Sequence, residues 1–597
     1  MNNKKPLNIF SKNFKLLKIV FSFCPLLLPL SIFYILSTII LSLSKVYLIS
    51  KGLELIISGS SLNDLIKQLV TIVIVQIISL LIKSLYEEYL LPKQKNIYIK
   101  KIQKYFYLKA KQVDMEEYDN PVFFNRFSLA FRDSQGRGFR VFQTFLDFIS
   151  SIFVAISIAA YITIISPILI ILILSSSIIS ILFLTKASKI MYKLFKKSEN
   201  DYRFSLYVNR TFYLSRYAPT LKVTNAPSML IDKYIDNAKT IEQRNVKYEK
   251  QSLKYQNLST IATTLFTQAI TYLYLGYQLF KNIISFANFS SLINATLQFS
   301  QTITRVGLIF VSLRENALYI DDFLWVVDYK GKEQQKKDEP KDFKKIELKN
   351  ITFKYNNTEK EVLKNLNLTL LKNNHIAIVG LNGSGKTTLI KLILGFYKPT
   401  KGVIYYNGKS YEEYNKELIR KNMAAIFQDY QIYATTIAEN VLMRKVESKD
   451  DETKVIEAIK KVGLYEKVKN QEKGIYTLVT KEFDKNGFSL SIGEAQKIAI
   501  ARVLASDASI YILDEATASL DPLSEEKINR LIMNEAKNKT IIIISHRLSS
   551  VVDAKTIYLL ENGSFVEKGN HQQLLEKKGK YYKLFQTQKE LYVEKNK

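Results

Sequence analysis

The first half of the chain contains apolar runs that are long enough to cross a lipid bilayer. The strongest of them cover residues 20–43, 65–82, 142–165 and 168–184. A transmembrane helix needs about 20 mostly apolar residues, so each run predicts one spanning helix. Two weaker runs, at residues 258–279 and 284–310, bring the expected number of spanning helices to six. The chain is therefore expected to have the lipid bilayer as a partner.

Basic residues indicate which side of the membrane each connection faces. The chain has 85 lysine and arginine residues against 55 acidic ones, a formal net charge of +30. Many of the basic residues follow the second and fourth apolar runs, and positive segments remain on the cytoplasmic side. A multi-pass protein with both termini in the cytoplasm is expected. No compact aromatic and basic motif gathers the charge, so nucleic acid is not an expected partner.

The cysteine content and the N-terminus argue against a secreted, disulfide-bonded protein. Cys24 is the single cysteine and cannot form an intrachain disulfide bond, and the three histidines lack the spacing of a zinc site. The basic N-terminus leads into an apolar run that is too long for a signal peptide, which predicts a retained first helix. Pro25 and Pro29 predict a kink where this helix begins.

The two weaker runs carry amide side chains that lipid would leave without hydrogen-bond partners. Gln268, Asn294, Gln298 and Gln301 are expected to face either a packed helix interface or a water-filled path, and the sequence leaves both open. Arg305 lies near the expected inner end of its helix, where reaching the headgroups is favoured over binding a substrate.

A polar segment separates the helical part from a part with a different pattern. Residues 329–345 have almost no apolar side chains and are expected to link residues 1–328 to residues 346–597. After this linker, IELKNITFKY alternates apolar and polar residues as a strand does, and HIAIVG is a short apolar strand that runs into a glycine-rich turn. An α-helical membrane domain followed by an α/β domain is therefore expected.

The glycine-rich turn has the spacing of a phosphate-binding loop. Residues 380–387 read GLNGSGKT, directly after a strand and before the helical run TLIKLILGF. Glycines allow backbone N–H groups to surround phosphate oxygens at the positive end of a helix. Lys386 is expected to reach the outer phosphates, and the hydroxyl of Thr387 to bind Mg2+. The nucleotide-binding residues predicted from this stretch are Gly380, Asn382, Gly383, Ser384, Gly385, Lys386, Thr387 and Thr388.

Two acidic residues end a later apolar strand. The segment IYILDEATASLD places Asp514 and Glu515 where a phosphate site of this architecture is within reach. Asp514 is expected to hold the water shell of Mg2+, and Glu515 to polarise the water that attacks the terminal phosphate. Together with the loop, these residues predict an ATPase with Mg2+ as its cofactor.

The second part of the chain resembles the ATP-binding cassette (ABC) family from about residue 346 to residue 592. The resemblance implies that Tyr355 stacks on adenine and that Gln428, in AAIFQDYQIY, senses Mg2+ and contact with the membrane domain. It implies a catalytic role for His546, in IIIISHRLSS, at the terminal phosphate. It also matches Asp521 to the aspartate of the family's D-loop.

The family's signature sequence is present as LSIGEAQ at residues 490–496. In the family, the residues matching Ser491 and Gly493 meet the terminal phosphate bound by the opposite subunit. The resemblance therefore implies a dimer with a second copy or a related half-transporter. The usual motif has glycine where this chain has Ile492 and glutamine where it has Glu494. A working signature is favoured over an impaired one because the serine and the second glycine are present.

The first part resembles the membrane domain of exporter-type ABC transporters, chiefly in its six spans and two long cytoplasmic excursions. The resemblance implies that residues 116–127 form the first coupling helix and that residues around 226–234 hold the second. Such helices would convert closure of the nucleotide-binding domains into rocking of the helix bundle. The expected fold is an exporter-type helical membrane domain fused to an α/β P-loop nucleotide-binding domain.

The substrate is less constrained than the fold. FQDYQIYATTIAENV and KEFDKNGFSLSIGEAQKIAIARVL are similar to segments of bacterial exporters of modified peptides such as lantibiotics, which favours a small peptide. Lipids and hydrophobic drugs are the alternatives. No N-terminal peptidase domain is expected, so the chain would not process a leader peptide. Its lysine-, isoleucine- and asparagine-rich composition points to a bacterial plasma membrane.

Two other function classes have sequence features to be weighed. The chain could be the regulatory half of a heterodimer, a hypothesis that Ile492 motivates. The residues expected at an active ATP site oppose it: Lys386, Gln428, Asp514, Glu515 and His546. A ligand-gated channel rests on shared fold alone.

Overall fold

The computed structural model describes residues 8–329, 338–340, 342–356, 358–517, 519–535 and 537–593. The chain divides into two compact units. The first contains Met1–Gln112 and Asn125–Tyr329, and the second contains Val113–Phe124 together with Lys330–Lys597. Most of the expected linker, at residues 330–337 and 341, lies outside the described residues.

Residues 8–329 are built mainly from α-helices. They are α1 (Asn8–Phe23), α2 (Leu27–Ile57), α3 (Leu62–Ser84), α4 (Leu91–Lys111), α5 (Met115–Tyr118), α6 (Pro121–Ser134), α7 (Arg137–Ile165), α8 (Pro167–Tyr213), α9 (Ala218–Val223), α10 (Ala226–Ala262), α11 (Ile270–Phe280) and α12 (Phe286–Asp328). The π-helical segments Leu85–Leu90 and Thr263–Ala269 join α3 to α4 and α10 to α11. Each of these two joined helices therefore contains one widened turn.

Among the described residues, four helical stretches are long and apolar enough to cross a membrane. They are Leu27–Ile57, Leu62–Lys111, Arg137–Ile165 and Pro167–Phe195. The first apolar run is interrupted where Pro25 and Pro29 predict it, because α1 ends at Phe23 and α2 begins at Leu27. A break at Ser166 likewise separates α7 from α8. The two weaker runs lie in α10–α11 and α12, and their crossing of the membrane remains a prediction.

An apolar core holds the first unit together. Helix α7 packs against α12, α8 against α10, and α2 against both α3 and α12. The buried core side chains are Val46, Val154, Ala155, Ile158, Ile162, Leu169, Ile173, Leu275, Ile284, Leu292, Ala295 and Phe299. Arg305, expected at the headgroups, lies 3.4 Å from the carboxylate of Asp147 on α7, so this mostly exposed side chain has an ionic partner on a neighbouring helix.

The second unit combines strands with short helices. Its strands are β1 (Lys345–Phe353), β2 (Leu363–Leu371), β3 (His375–Val379), β4 (Lys401–Tyr406), β5 (Lys409–Ser410), β6 (Met423–Ile426), β7 (Ile510–Asp514), β8 (Thr540–Ser545), β9 (Thr556–Glu561) and β10 (Ser564–Gly569). Its later helices are α13 (Lys386–Ile393), α14 (Lys416–Lys421), α15 (Ile437–Leu442), α16 (Lys449–Lys461), α17 (Tyr465–Lys469), α18 (Ile492–Leu504), α19 (Pro522–Glu535), α20 (His571–Glu576) and α21 (Lys580–Val593).

The strands form two sheets. Four antiparallel strands have the order β2-β1-β4-β5, and six strands have the order β10-β9-β3-β8-β7-β6. The larger sheet is parallel except for the β9–β10 hairpin. Because β3, β8 and β7 are parallel neighbours, their carboxyl ends meet at one edge of the sheet, where α/β folds bind ligands. The phosphate-loop sequence, His546 and Asp514 lie at these three strand ends.

Helix α18 is packed in a second core beside the sheet. Ile498, Ile500 and Val503 of α18 are buried among side chains of α15, α16 and β7. These contacts fix the helix along most of its length. Its first turn, Ile492–Glu494, carries exposed or half-buried residues.

Candidate nucleotide-binding site

The loop between β3 and α13 follows a path that requires glycine. Gly383 and Gly385 have φ angles of 78° and 107°, in the left-handed region that side chains disfavour. A Cβ atom on Gly380 would lie 2.2 Å from the carbonyl oxygen of Leu560 on β9. The backbone of residues 380–387 is therefore turned tightly around the start of α13, where helix N–H groups attract anions.

Two buried side chains of this loop fit a bound phosphate. Ser384 is 7% exposed, and within the described residues its hydroxyl has no hydrogen-bond partner. The ammonium group of Lys386 donates to the carbonyl oxygens of Gly380 and Leu381, at 2.9 Å each. Burial lowers the pKa of Lys386, an effect that the nearby Glu515 and Asp514 oppose. An anion in the loop would supply both a partner for the hydroxyl and a counter-charge for the lysine.

Thr387 and Asp514 are brought together from α13 and β7. The Thr387 hydroxyl donates to Oδ2 of Asp514 over 2.9 Å. Asp514 is 1% exposed, and burial raises the pKa of its carboxyl group, against the effect of the Thr387 hydrogen bond. A hydroxyl and a carboxylate are the hard oxygen ligands that Mg2+ prefers, so this pair fits the ion. Gln428 is exposed in the loop after β6, the strand beside β7.

Glu515 and His546 form the second pair at the same sheet edge. Nδ1 of His546 lies 3.0 Å from Oε1 of Glu515. Glu515 has a φ angle of 50°, a strained backbone region that non-glycine residues rarely adopt outside functional sites. The Glu515 N–H group donates to the carbonyl oxygen of Ile544, and the His546 carbonyl oxygen accepts from the side-chain amide of Gln588 on α21. These backbone contacts fix a carboxylate and an imidazole beside the loop.

Tyr355 and Thr388 are also brought together. Their hydroxyl groups lie 3.0 Å apart, which joins the segment after β1 to the first turn of α13. The ring of Tyr355 meets the rings of Phe353 and Tyr397 edge to face, with centroids 5.0 and 5.5 Å away. Asn382 is exposed in the phosphate-binding loop. The cluster holds the tyrosine half-buried, with one part available for stacking.

The signature residues lie apart from this loop, at the start of α18. The Ser491 hydroxyl accepts from the N–H of Glu494, and the Glu494 carboxylate accepts from the N–H of Ser491 over 2.9 Å, a capping box. A Cβ on Gly493 would meet only ordinary contacts, at 3.6 Å and beyond. Asp521 caps α19, where Ser524 N–H donates to its carboxylate over 2.9 Å.

Both departures from the usual signature are accommodated locally. Ile492 is 72% exposed and is not among the described residues with positive φ, so glycine is not required at its position. Glu494 forms an ion pair with Lys467. The hydrogen bonds from Lys467 and from the Ser491 N–H lower the pKa of Glu494, so its charge is matched inside the chain.

The sequence interpretation missed several side chains that hold the site. Tyr430 donates from its hydroxyl to the carbonyl oxygen of Ile492 over 2.8 Å. Tyr397 donates to a carboxylate oxygen of Asp119 over 2.5 Å, which joins the Val113–Phe124 segment to the rest of the second unit. No motif marks these residues, because each pair is far apart in sequence.

Comparison with known proteins shows that part of this chain is similar to a known family. Residues 363–518 match the model of the ABC transporter family. Over 244 residues, the chain is 39% identical to the multidrug resistance-like ATP-binding protein MdlB of Buchnera aphidicola from Acyrthosiphon pisum. Over the same length it is 35% identical to a putative multidrug export ATP-binding/permease protein of Staphylococcus aureus strain NCTC 8325. Each alignment covers 41% of this chain and 41% of the relative.

The structural similarity covers more of the chain than the sequence alignments do. The fold of the chain matches the structure of a bacterial Atm1-family ABC exporter with ATP bound, with a TM-score of 0.76. The match covers 94% of this chain and 97% of that protein at 18% sequence identity. At this identity the likeness concerns the fold: a helical part followed by an α/β nucleotide-binding domain.

Proposed function

The chain carries an ABC transporter domain within the fold of a fused exporter, and we propose that it couples ATP hydrolysis to export across a membrane. The proposal rests chiefly on one arrangement, the pairs Thr387–Asp514 and Glu515–His546 beside the phosphate-binding loop. Parallel strands place all four groups at one sheet edge. This is the chemistry that phosphoryl transfer to water needs.

Each side chain has a distinct part in the proposed reaction. Bound ATP supplies the bond that is hydrolysed, and Mg2+ neutralises charge on its outer phosphates. Lys386 would bind the outer phosphates, and Thr387 and Asp514 would hold the metal ion. The Glu515 carboxylate accepts a hydrogen bond from the attacking water, and His546 both orients that carboxylate and lies near the terminal phosphate. Gln428 adds a further metal ligand from the adjacent loop, and Tyr355 stacks on the base.

The signature sequence supports a dimer with two composite sites. The hydrogen bonds of Ser491 join it to Glu494 and not to the phosphate-binding loop of its own chain. Among the described residues, a Cβ atom on Gly493 would meet only ordinary contacts, from 3.6 Å outwards, so the demand for a small residue would come from a partner that approaches this turn. A second copy of the chain, with ATP in its own loop, fits that description.

The membrane part and the relatives bear on substrate and location. Apolar helices in the first unit support a multi-pass protein of a bacterial plasma membrane, with both termini in the cytoplasm. The segments similar to peptide exporters favour a small peptide as substrate. The relatives named for multidrug export favour a hydrophobic drug as the second candidate.

The deciding measurement is the Mg-dependent ATPase rate of the full chain in lipid nanodiscs. Glu515→Gln removes the carboxylate that acts on water and is expected to lower the rate at least 100-fold, the effect of a positioned general base. Glu526→Gln, the same substitution on an exposed residue of α19, is the control and should keep the wild-type rate. A silent wild type that hydrolyses ATP only with a second, different chain would instead support the regulatory half of a heterodimer.

Export itself needs a transport measurement. Inside-out vesicles containing the chain should accumulate a substrate when ATP is supplied, and those containing Glu515→Gln should not. A cationic amphipathic peptide and a hydrophobic dye serve as the two probes. Accumulation of the dye alone would favour a drug exporter over a peptide exporter.

A further inference from the structure

The segment that follows Gln428 is hydrogen-bonded to α18 at two separate points. The Tyr430 hydroxyl donates to the carbonyl oxygen of Ile492 over 2.8 Å, at the first residue of the helix. Near the other end of the helix, Nη2 of Arg502 donates to the carbonyl oxygen of Gln431 over 3.1 Å. Two adjacent residues of one loop thus contact α18 ten residues apart.

In both contacts the side chain donates and a backbone carbonyl oxygen accepts. Burial raises the pKa of Tyr430, so its phenol remains protonated and donates. The Arg502 guanidinium also donates through Nε to the carbonyl of Asn440 over 3.0 Å, so it is held from two sides. The ring of Tyr430 packs against the apolar core around α18. The loop and the helix are therefore joined by both polar and apolar contacts.

The first of these contacts acts on the signature turn directly. Ser491, Ile492 and Gly493 follow one another at the start of α18, and the carbonyl that Tyr430 binds belongs to the middle residue. Its neighbours on either side are the two residues proposed to meet the partner's phosphate. Within the described residues, the Tyr430 hydroxyl and the Ser491–Glu494 capping box are the contacts that hold this turn.

We propose that Tyr430 is a positioning residue for the composite ATP site, because its hydroxyl holds the signature turn in register with the Gln428 loop. The proposal rests on the proposed function, and it assigns Tyr430 an effect in trans: the site it supports contains the phosphate-binding loop of the other chain. Removal of the hydroxyl loosens Ser491 and Gly493, while the chain's own phosphate-binding loop keeps all its contacts.

The first test combines hydrogen exchange with ATPase kinetics on the full chain in nanodiscs. Tyr430→Phe keeps the ring and removes the hydroxyl. Backbone amides of residues 490–496 are expected to exchange faster, with no change at residues 380–387. The ATPase kcat is expected to fall about fivefold, the effect of one lost hydrogen bond, with ATP binding in the absence of Mg2+ within twofold of wild type.

Tyr476→Phe is the matched control for this variant. It removes another tyrosine hydroxyl of the same domain, one that donates to Glu452 over 2.5 Å at the surface. It should change neither the exchange of residues 490–496 nor kcat. Unchanged exchange or an unchanged kcat in Tyr430→Phe would overturn the positioning role.

Mixed dimers test the effect in trans. Lys386→Ala in one chain disables the phosphate-binding loop of that chain. The intact loop of the other chain then meets the signature turn of the chain that carries Lys386→Ala. Tyr430→Phe should slow this dimer when it lies in the chain with Lys386→Ala, and should have no effect when it lies in the other chain. Equal losses in both arrangements would overturn the assignment, since they would indicate general destabilisation. A wild type without ATPase activity would contradict the proposed function, while the exchange measurement would still decide whether Tyr430 fixes the turn.

Discussion

The hydroxyl of Thr387 donates a hydrogen bond to the carboxylate of Asp514 over 2.9 Å. This contact joins the first turn of α13 to the end of β7, and it connects two groups that are both expected at the metal ion. Asp514 is almost completely buried, and among the described residues the positive charge that lowers the pKa of its carboxyl group is that of Lys386, whose own pKa burial lowers. The protein thus holds a buried negative charge in place for a ligand.

Asp514→Asn is expected to raise stability and remove function. Since burial raises the folded pKa of Asp514 above its unfolded value, the ionised carboxylate disfavours folding at neutral pH, and that penalty disappears as the pH falls below the unfolded pKa. Asparagine keeps the acceptor for Thr387 without the charge. Its nucleotide-free melting temperature at pH 7 should rise, by the equivalent of about 1 kcal/mol, while Mg-dependent ATP hydrolysis is lost. A lower melting temperature would show that Lys386 stabilises the carboxylate more than burial penalises it.

Ser384→Ala should also separate stability from binding. The buried Ser384 hydroxyl has no partner among the described residues, and an unsatisfied buried hydroxyl costs about 1–3 kcal/mol. The alanine variant should melt higher without nucleotide and bind ATP several-fold more weakly, as measured by thermal unfolding with and without ATP. Thr477→Val removes another buried, unpaired hydroxyl away from the loop and should raise stability without weakening ATP binding. Equal ATP affinity in Ser384→Ala would contradict a phosphate contact for this side chain.

The Arg444–Asp451 ion pair predicts an acid-dependent loss of stability. Both guanidinium Nη atoms lie 2.6 Å from carboxylate oxygens of Asp451, and the Glu447 N–H donates to the same carboxylate. The Arg444 hydrogen bonds hold the pKa of Asp451 well below its usual range. The stabilisation is therefore complete above the unfolded pKa, near 3.9, and is lost as the pH falls towards the folded value.

Thermal unfolding of wild type and Asp451→Asn over a range of pH checks this sign. The variant should melt below wild type at pH 7, and the gap should narrow as the pH falls below about 4. A gap that stays constant down to pH 3 would mean that the neutral side chain loses packing rather than charge.

The positions of the candidate site residues at the strand ends could be predicted from the sequence, because they depend on local patterns. Glycine spacing predicted the phosphate-binding loop, an apolar strand that ends in two acidic residues predicted Asp514, and the family resemblance implied His546. The parallel order β3-β8-β7 then brings these ends together, as this class of sheet does. Pro25 and Pro29 likewise marked the start of α2, because proline cannot continue a helix.

The missed contacts connect residues that no local pattern relates. Tyr430 and Ile492 are 62 positions apart, and Asp119 and Tyr397 are 278 apart. The sequence alone does not distinguish a tyrosine that packs in a core from one that donates to a distant carbonyl oxygen. Tertiary packing decides which of these contacts the tyrosine makes. The π-helical turn Leu85–Leu90 could not be predicted from the sequence either, because its residues are equally compatible with an ordinary α-helix. These long-range contacts could therefore be identified only from the structure.

Replacing Ile492 tests whether the unusual signature is active. Its side chain is 72% exposed at the first residue of α18 and its backbone is helical, so it strains nothing inside the chain. We expect Ile492→Ala to keep the ATPase rate within about twofold, because alanine removes the bulk and retains helix propensity. Ile492→Gly should lower stability by up to about 1 kcal/mol at the helix end, with a similar rate. A tenfold higher rate in both variants would instead show that the isoleucine obstructs the partner's phosphate, which is the behaviour of a regulatory half.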